Sequence, residues 1–151
     1  MLIDDDDDLR RQFANAMLSF AGHEQCLNKL IGSGYLADLQ KMFRDRFWII
    51  RKTSVIAVIK VIQCKKYLSK VLESGYLIDF QNMFDDEDEE VREAAVEAIE
   101  ALVSNGTNEC RRKMMDFGYM VDLQSMLFDD YSDVRKVAQR ALEAFSQKKS
   151  S

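Results

Sequence analysis

Between Val134 and Phe145 the apolar residues Val134, Ala138, Ala141, Leu142 and Phe145 fall at intervals that place them on one face of an α-helix. Val91, Ala95, Ala98, Ile99 and Leu102 give the same face one copy earlier. Ile50, Ser54, Ala57, Val58 and Val61 give it again. The small residues Ala95, Ala98, Ala138 and Ala141 allow neighbouring helices to approach closely. Two shorter periodic segments precede each long one. The pattern predicts short first helices over residues 24–31, 65–73 and 107–116. It predicts second helices over 35–44, 76–84 and 119–128, and long third helices over 47–63, 88–104 and 131–146. One further long helix is predicted over 9–21.

The second helices carry a repeated motif. Gly34 to Phe43, Gly75 to Phe84 and Gly118 to Leu127 each read Gly-Tyr-apolar-x-Asp-apolar-Gln-x-Met-apolar. Each copy then meets an arginine at the same distance past the methionine, at Arg51, Arg92 and Arg135. Met1 and Arg10 keep that spacing, so the repeat marks are Met1, Met42, Met83 and Met126, at steps of 41, 41 and 43 residues. Periods of roughly 40–47 residues built from two or three helices indicate armadillo or HEAT-type arrays. We therefore expect one repeat domain over residues 1–151. It divides into a partial repeat at 1–33, repeats at 34–74, 75–117 and 118–146, and a polar tail at 147–151. The residues that complete a repeat before Met1 are missing, and an open repeat face exposes apolar surface, so a fragment of a longer array is expected.

The third helices carry a resemblance to a known family. Val91-Arg92-Glu93-Ala94-Ala95-Val96-Glu97-Ala98-Ile99 and Val134-Arg135-Lys136-Val137-Ala138-Gln139-Arg140-Ala141-Leu142 resemble the armadillo repeat, as does the glycine before each second helix. The short first helix and that glycine favour armadillo over HEAT. The resemblance covers essentially the whole chain. It implies an all-α, right-handed α-solenoid of about three and a half armadillo-like repeats. It also implies a concave face lined by third helices, where extended peptide segments commonly bind. Importin-like members place a Trp and an Asn on each third helix. The Trp place matches Asn15, Ile56, Glu97 and Arg140 here, and the Asn place matches Ser19, Lys60, Ala101 and Ala144. That ladder is absent, which argues against an adaptor holding basic signals by this device.

Composition refines the partner. The net charge of −5 hides a segregation. Residues 41–70 carry nine Lys or Arg and only Asp45, whereas residues 73–109 carry twelve Asp or Glu and only Arg92. An acidic block beside the basic one argues against nucleic acid. No apolar run approaches the ~20 residues of a membrane span, which argues against a membrane partner. The acidic start lacks the pattern of a signal peptide, and three cysteines without one suggest a reducing, cytoplasmic or nuclear compartment.

The sequence offers little for catalysis. Asp4 to Asp8 lack the spaced ligands, the Gly and the terminal Glu of a calcium loop, and read as acids gathered at a helix N-terminus. No Cys/His pair has zinc spacing, and His23 stands alone. Cys26 and Cys110 hold equivalent places too far apart for a disulfide and read as small core residues. No phosphate-binding glycine loop or nucleophile elbow is present. We expect no enzyme, no metal, no cofactor and no small-molecule substrate. The recurring Asp38, Asp79 and Asp122, with Gln40, Gln81 and Gln124, are expected to make the same inter-helix hydrogen bond in each repeat.

The informative departure is the first complete third helix. Ile56 and Ile59 align with Glu97 and Glu100, and with Arg140 and Glu143. Apolar residues at positions charged elsewhere, framed by Arg51, Lys52 and Lys60, suggest a binding patch, and Trp48 is a natural anchor. We expect a scaffold or adaptor whose partner-binding residues are Asn15, Trp48, Arg51, Lys52, Ile56, Ile59, Lys60, Glu97 and Arg140. The expected partner is an extended protein segment with apolar anchors and acidic residues. The alternative is weak self-assembly through the oppositely charged repeats. Sedimentation tests that alternative: larger species at low salt that dissolve near physiological salt are expected, and a salt-independent monomer would remove it.

Overall fold

The computed structural model describes residues 7–147. All of their regular structure is helical. The chain divides into two compact units, Met1–Tyr76 and Leu77–Ser151. The first holds α1 (Asp7–Ala21), α2 (Glu24–Gly32), α3 (Tyr35–Met42), α4 (Trp48–Gln63) and α5 (Leu68–Glu73), with a single 3-10 turn, Lys65–Tyr67, before α5. The second holds α6 (Tyr76–Met83), whose first residue closes the first unit, followed by α7 (Glu89–Asn105), α8 (Asn108–Asp116), α9 (Tyr119–Met126) and α10 (Ser132–Ser146). The helices match the expected segments to within a few residues at each end. The repeat mark at Met1 and the start of the aspartate run lie outside the described residues.

The repeated sequence marks each have a physical role. Gly34, Gly75 and Gly118 stand at φ of 88°, 81° and 92°, the left-handed region, where a side chain would strain the backbone. Each lets the chain reverse from a first helix into a second. The tyrosine that follows is buried in all three copies. Tyr35 donates its hydroxyl to the carbonyl of Met17 at 2.5 Å. Tyr76 donates to Leu36, and Tyr119 donates to Leu77. Burial raises the pKa of Tyr35 and, together with Asp122 and Asp79, that of Tyr119, so both hydroxyls remain protonated donors. Phe43 and Phe84 stand edge-on against Tyr76 and Tyr119 at 5.6 and 5.8 Å.

In the first unit α4 packs against α1 and α3, and in the second α10 packs against α7 and α9. Ile50, Ser54, Ala57, Val58 and Val61 of α4 are all buried, as are Val91, Ala95, Ala98, Ile99 and Leu102 of α7. The recurring arginine fastens the turn before each third helix. Asp45 accepts the Phe47 N–H at 2.9 Å and the Arg10 guanidinium at 2.9 Å, while its carbonyl accepts Arg51 Nη1 at 2.8 Å. Asp129 repeats the arrangement in the second unit. Its carboxylate accepts the Tyr131 N–H at 3.0 Å and Arg92 at 2.9 and 3.1 Å, and its carbonyl accepts Arg135 Nη1 at 2.6 Å.

One expectation changes. The cysteines are free, and Cys110 is buried, but Cys26 is exposed, because α2 turns Leu27 inward instead. The glutamines do repeat a bond: Gln40 donates to the Ser74 carbonyl at 2.7 Å and Gln81 to the equivalent Phe117 carbonyl at 3.4 Å, and Gln81 also reaches the Asp122 carboxylate at 2.6 Å.

Gly118→Ala should cost about 1–2 kcal/mol of stability, since nothing crowds the site and only the backbone conformation is penalised. Asp129 gives a pH signature. Burial alone would raise its pKa, but the hydrogen bonds from Arg92 and Tyr131 and the charges of Arg92 and Arg135 lower it below the usual carboxylate value. Its stabilising contribution is therefore present above the unfolded value of about 3.9 and is lost as pH falls through the lower folded value. Urea unfolding across that acid range should show a loss of stability that is smaller in Asp129→Asn.

Candidate functional site

α4 positions most of the residues singled out in the first unit. It lacks a side-chain N-cap, begins at Trp48 and is buried on most sides. Trp48 is 39% exposed, and the Lys52 ammonium lies 6.0 Å from its ring centroid, one turn further on. Ile56 and Ile59 are half-buried, whereas Val55 and Val58 beside them are fully enclosed. Lys60, also half-buried, lines a small recess with Ala21, Gly22, Glu24, Leu27 and Cys64. Asn15 is exposed on α1, at the register of Ile56.

Arg51 does not join this face. It is 8% exposed and hydrogen-bonds the carbonyls of Asp45 and Arg46 at 2.8 and 3.2 Å. A guanidinium at the start of a helix reaches back to the preceding turn, where carbonyls need donors, so Arg51 fastens that turn. Glu97 and Arg140 belong to the second unit. Glu97 is half-buried on α7, and Arg140 is exposed on α10. Arg140 forms a forked pair with Glu100 of α7 at 3.4 and 3.2 Å. That hydrogen bonding raises its pKa further, against a smaller effect of burial, with Glu97 and Glu93 adding to the rise. The recurring turn aspartates Asp45 and Asp129 were not singled out, although an aspartate stands three residues past every repeat methionine.

Among the described residues no group of His, Cys, Asp or Glu is arranged to hold a metal ion. No helix of the described residues is long and apolar enough to cross a membrane. The α4 face thus offers a tryptophan, two aliphatic side chains and two ammonium groups, the chemistry of a contact surface.

The family model for Cnd1, the non-SMC mitotic condensation complex subunit 1, matches residues 14–119. The chain belongs to the Cnd1 family. The matched residues run from α1 to the first residue of α9, so they include the α4 face and Glu97 and leave Arg140 outside. Solved armadillo structures resemble this Cnd1-family chain closely. A computationally designed armadillo repeat protein for modular peptide recognition is 29% identical, with a TM-score of 0.86. A designed armadillo repeat protein in complex with the peptide (KR)4 is 30% identical, also at 0.86. Each comparison covers 96% of this chain and 61% of the designed one, so the chain spans about three fifths of their length. An engineered protein at 23% identity and a TM-score of 0.84 shares the fold. The fold is an armadillo-type α-solenoid, as the repeat spacing predicts. No curated protein matches.

Ile56→Glu should leave the protein folded at a cost of about 1 kcal/mol, because the side chain reaches water. Val55→Glu, one residue earlier and fully enclosed, should cost about 3–5 kcal/mol. Equal losses in thermal unfolding would show that Ile56 is core.

Proposed function

We propose that this Cnd1-family chain is a non-catalytic protein-interaction module whose α4 face binds an extended segment carrying apolar anchors and acidic residues. The observation that carries this reading is the pairing of exposed Trp48 with half-buried Ile56 and Ile59 at positions where α7 and α10 hold Glu97, Glu100, Arg140 and Glu143. Leaving such side chains in water forgoes part of roughly 1.5–3 kcal/mol each, which a partner recovers. Lys60 and Lys52 supply attraction for carboxylates. The peptide-recognition proteins of the same fold and the membership of Cnd1 in a condensation complex support a protein partner. A cytoplasmic or nuclear location accompanies this reading and rests on the free thiols Cys26, Cys64 and Cys110.

A second reading has its own observation. α7 presents Glu93, Glu97 and Glu100, all half-buried, and a similar designed protein is in complex with (KR)4. On that reading the second unit takes a basic segment.

Trp48 is the chain's one tryptophan, so its emission reports on the α4 face directly. Titration with an (Asp-Leu)4 peptide should shift that emission. Lys60→Glu should weaken binding about tenfold with a changed salt dependence, and Ile56→Glu should mainly speed dissociation. Binding of (KR)4 with no response to (Asp-Leu)4 would overturn the α4 reading and favour the second.

A further inference from the structure

The last step of the repeat is longer than the others, and its extra residues fall at one joint. The spans from Arg10 to Gly34 and from Arg51 to Gly75 are equal, whereas the span from Arg92 to Gly118 is two residues longer. Within it Leu102 keeps its place relative to Arg92, and Cys110 keeps its place relative to Gly118, so the added residues lie between Leu102 and Cys110. α7 accordingly runs for 17 residues, against 16 in α4 and 15 in α10. It ends at Asn105, which Gly106 and Thr107 follow. Asn105 is the one asparagine of the sequence that precedes a glycine.

The joint between α7 and α8 holds this pair closely. The Gly106 N–H donates to the Leu102 carbonyl at 2.8 Å, which satisfies an acceptor in the last turn of α7. The Asn105 side-chain amide donates to the Ala101 carbonyl at 2.8 Å. Gly106 is buried, and a Cβ there would lie 2.7 Å from both Cys110 Sγ and the Leu102 carbonyl oxygen. Its φ of −84° is one that any residue adopts, so the close contact with α8 is what demands glycine. Thr107 then caps α8 by accepting the Cys110 N–H at 3.2 Å.

We propose that Asn105–Gly106 is a deamidation site whose rate is set by opening of the α7–α8 joint. A following glycine has no side chain to hinder attack on the asparagine. The Gly106 amide nitrogen, its proton lost to base, attacks the Asn105 side-chain carbonyl carbon. The new N–C bond closes a succinimide, and the side-chain nitrogen leaves as ammonia. Water then opens the ring at either carbonyl and leaves an aspartate or an isoaspartate, with nothing oxidised or reduced. In the closed joint the nucleophile and the leaving amide are both hydrogen-bonded, so the reaction waits until both bonds break. Helix ends open more readily than the core they flank. The product favours the open joint. A carboxylate replaces the donor that faced the Ala101 carbonyl, and it stands at the negative end of the helix. The site lies in the second unit, away from the α4 face, and rests on neither reading of the partner.

Incubation of the full chain at mildly alkaline pH, with and without urea, followed by peptide mass mapping that separates isoaspartate, tests this. In urea Asn105 should convert faster than Asn15, Asn28, Asn82 and Asn108. In the folded chain its conversion should be slower by between about tenfold and about a thousandfold, the range of a fraying helix end. That slowing should match the hydrogen-exchange protection of the Gly106 amide to within about threefold, because one opening exposes the same N–H to both reactions. Thr107→Ala removes the α8 cap and should speed the folded-state conversion by about threefold or more, with the rate in urea unchanged. Thermal unfolding checks that this variant is folded, and the exchange comparison needs no variant. Equal rates with and without urea would overturn the proposal. So would folded-state conversion slower than the stated range, a slowing unrelated to the Gly106 protection, or an unchanged folded-state rate in Thr107→Ala.

Discussion

The turns before α4 and α10 each depend on one arrangement, an aspartate whose carboxylate and carbonyl are held by arginines from different helices. Its carboxylate meets the arginine of the preceding third helix, and its carbonyl meets the arginine of its own. In the first unit Arg10 and Asp45 are 8% and 9% exposed at the side chain, and in the second Arg92 and Asp129 are 13% and 12%. Charges this sheltered from water are costly unless each is paired and hydrogen-bonded. The pairing is therefore satisfied from several directions at once, by two guanidinium nitrogens and by the backbone N–H two residues on. That arrangement fixes where a third helix begins relative to the one before it, and so decides which of its side chains are enclosed. The buried tyrosine hydroxyls act alongside it, tying each second helix to a backbone carbonyl earlier in the chain.

Most of this was legible in the sequence because a repeat states each structural requirement several times. Gly34, Gly75 and Gly118 recur because only glycine adopts their left-handed conformation without strain. The tyrosines recur because a large buried ring with a polar tip fits one site per copy. The helix limits follow the apolar spacing closely for the same reason. Gln40 and Gln81 share a register, and each amide reaches the carbonyl of the residue before the next repeat glycine, Ser74 or Phe117. Cys26 was less legible. It shares a register with buried Cys110, yet it is exposed while Leu27 beside it is enclosed.

Arg51 shows the limit most clearly. Beside Lys52, Ile56 and Lys60 it looks like part of a cationic binding patch, yet it is buried against the turn. Its recurrence at Arg10, Arg92 and Arg135 was the signal that separates it from its neighbours, since a residue kept in every copy serves what every copy shares. The residues that change from copy to copy are the ones the shared scaffold leaves free to differ in chemistry. Ile56, Glu97 and Arg140 occupy one register with three chemistries, so each unit offers a different surface on the same scaffold. The members of that register are partly or fully exposed, which the enclosed positions beside them are not. On the function proposed above, recognition falls to those variable positions, while the recurring ones hold them in place.

The most direct measurement is a double-mutant cycle on Arg92 and Asp129, combining Arg92→Ala, Asp129→Ala and the double variant in equilibrium unfolding at neutral pH. If the pair anchors the turn, the two single losses should exceed additivity, with a coupling energy of roughly 1–3 kcal/mol. A coupling within about 0.3 kcal/mol of zero would contradict the claim that the arginine and aspartate act together.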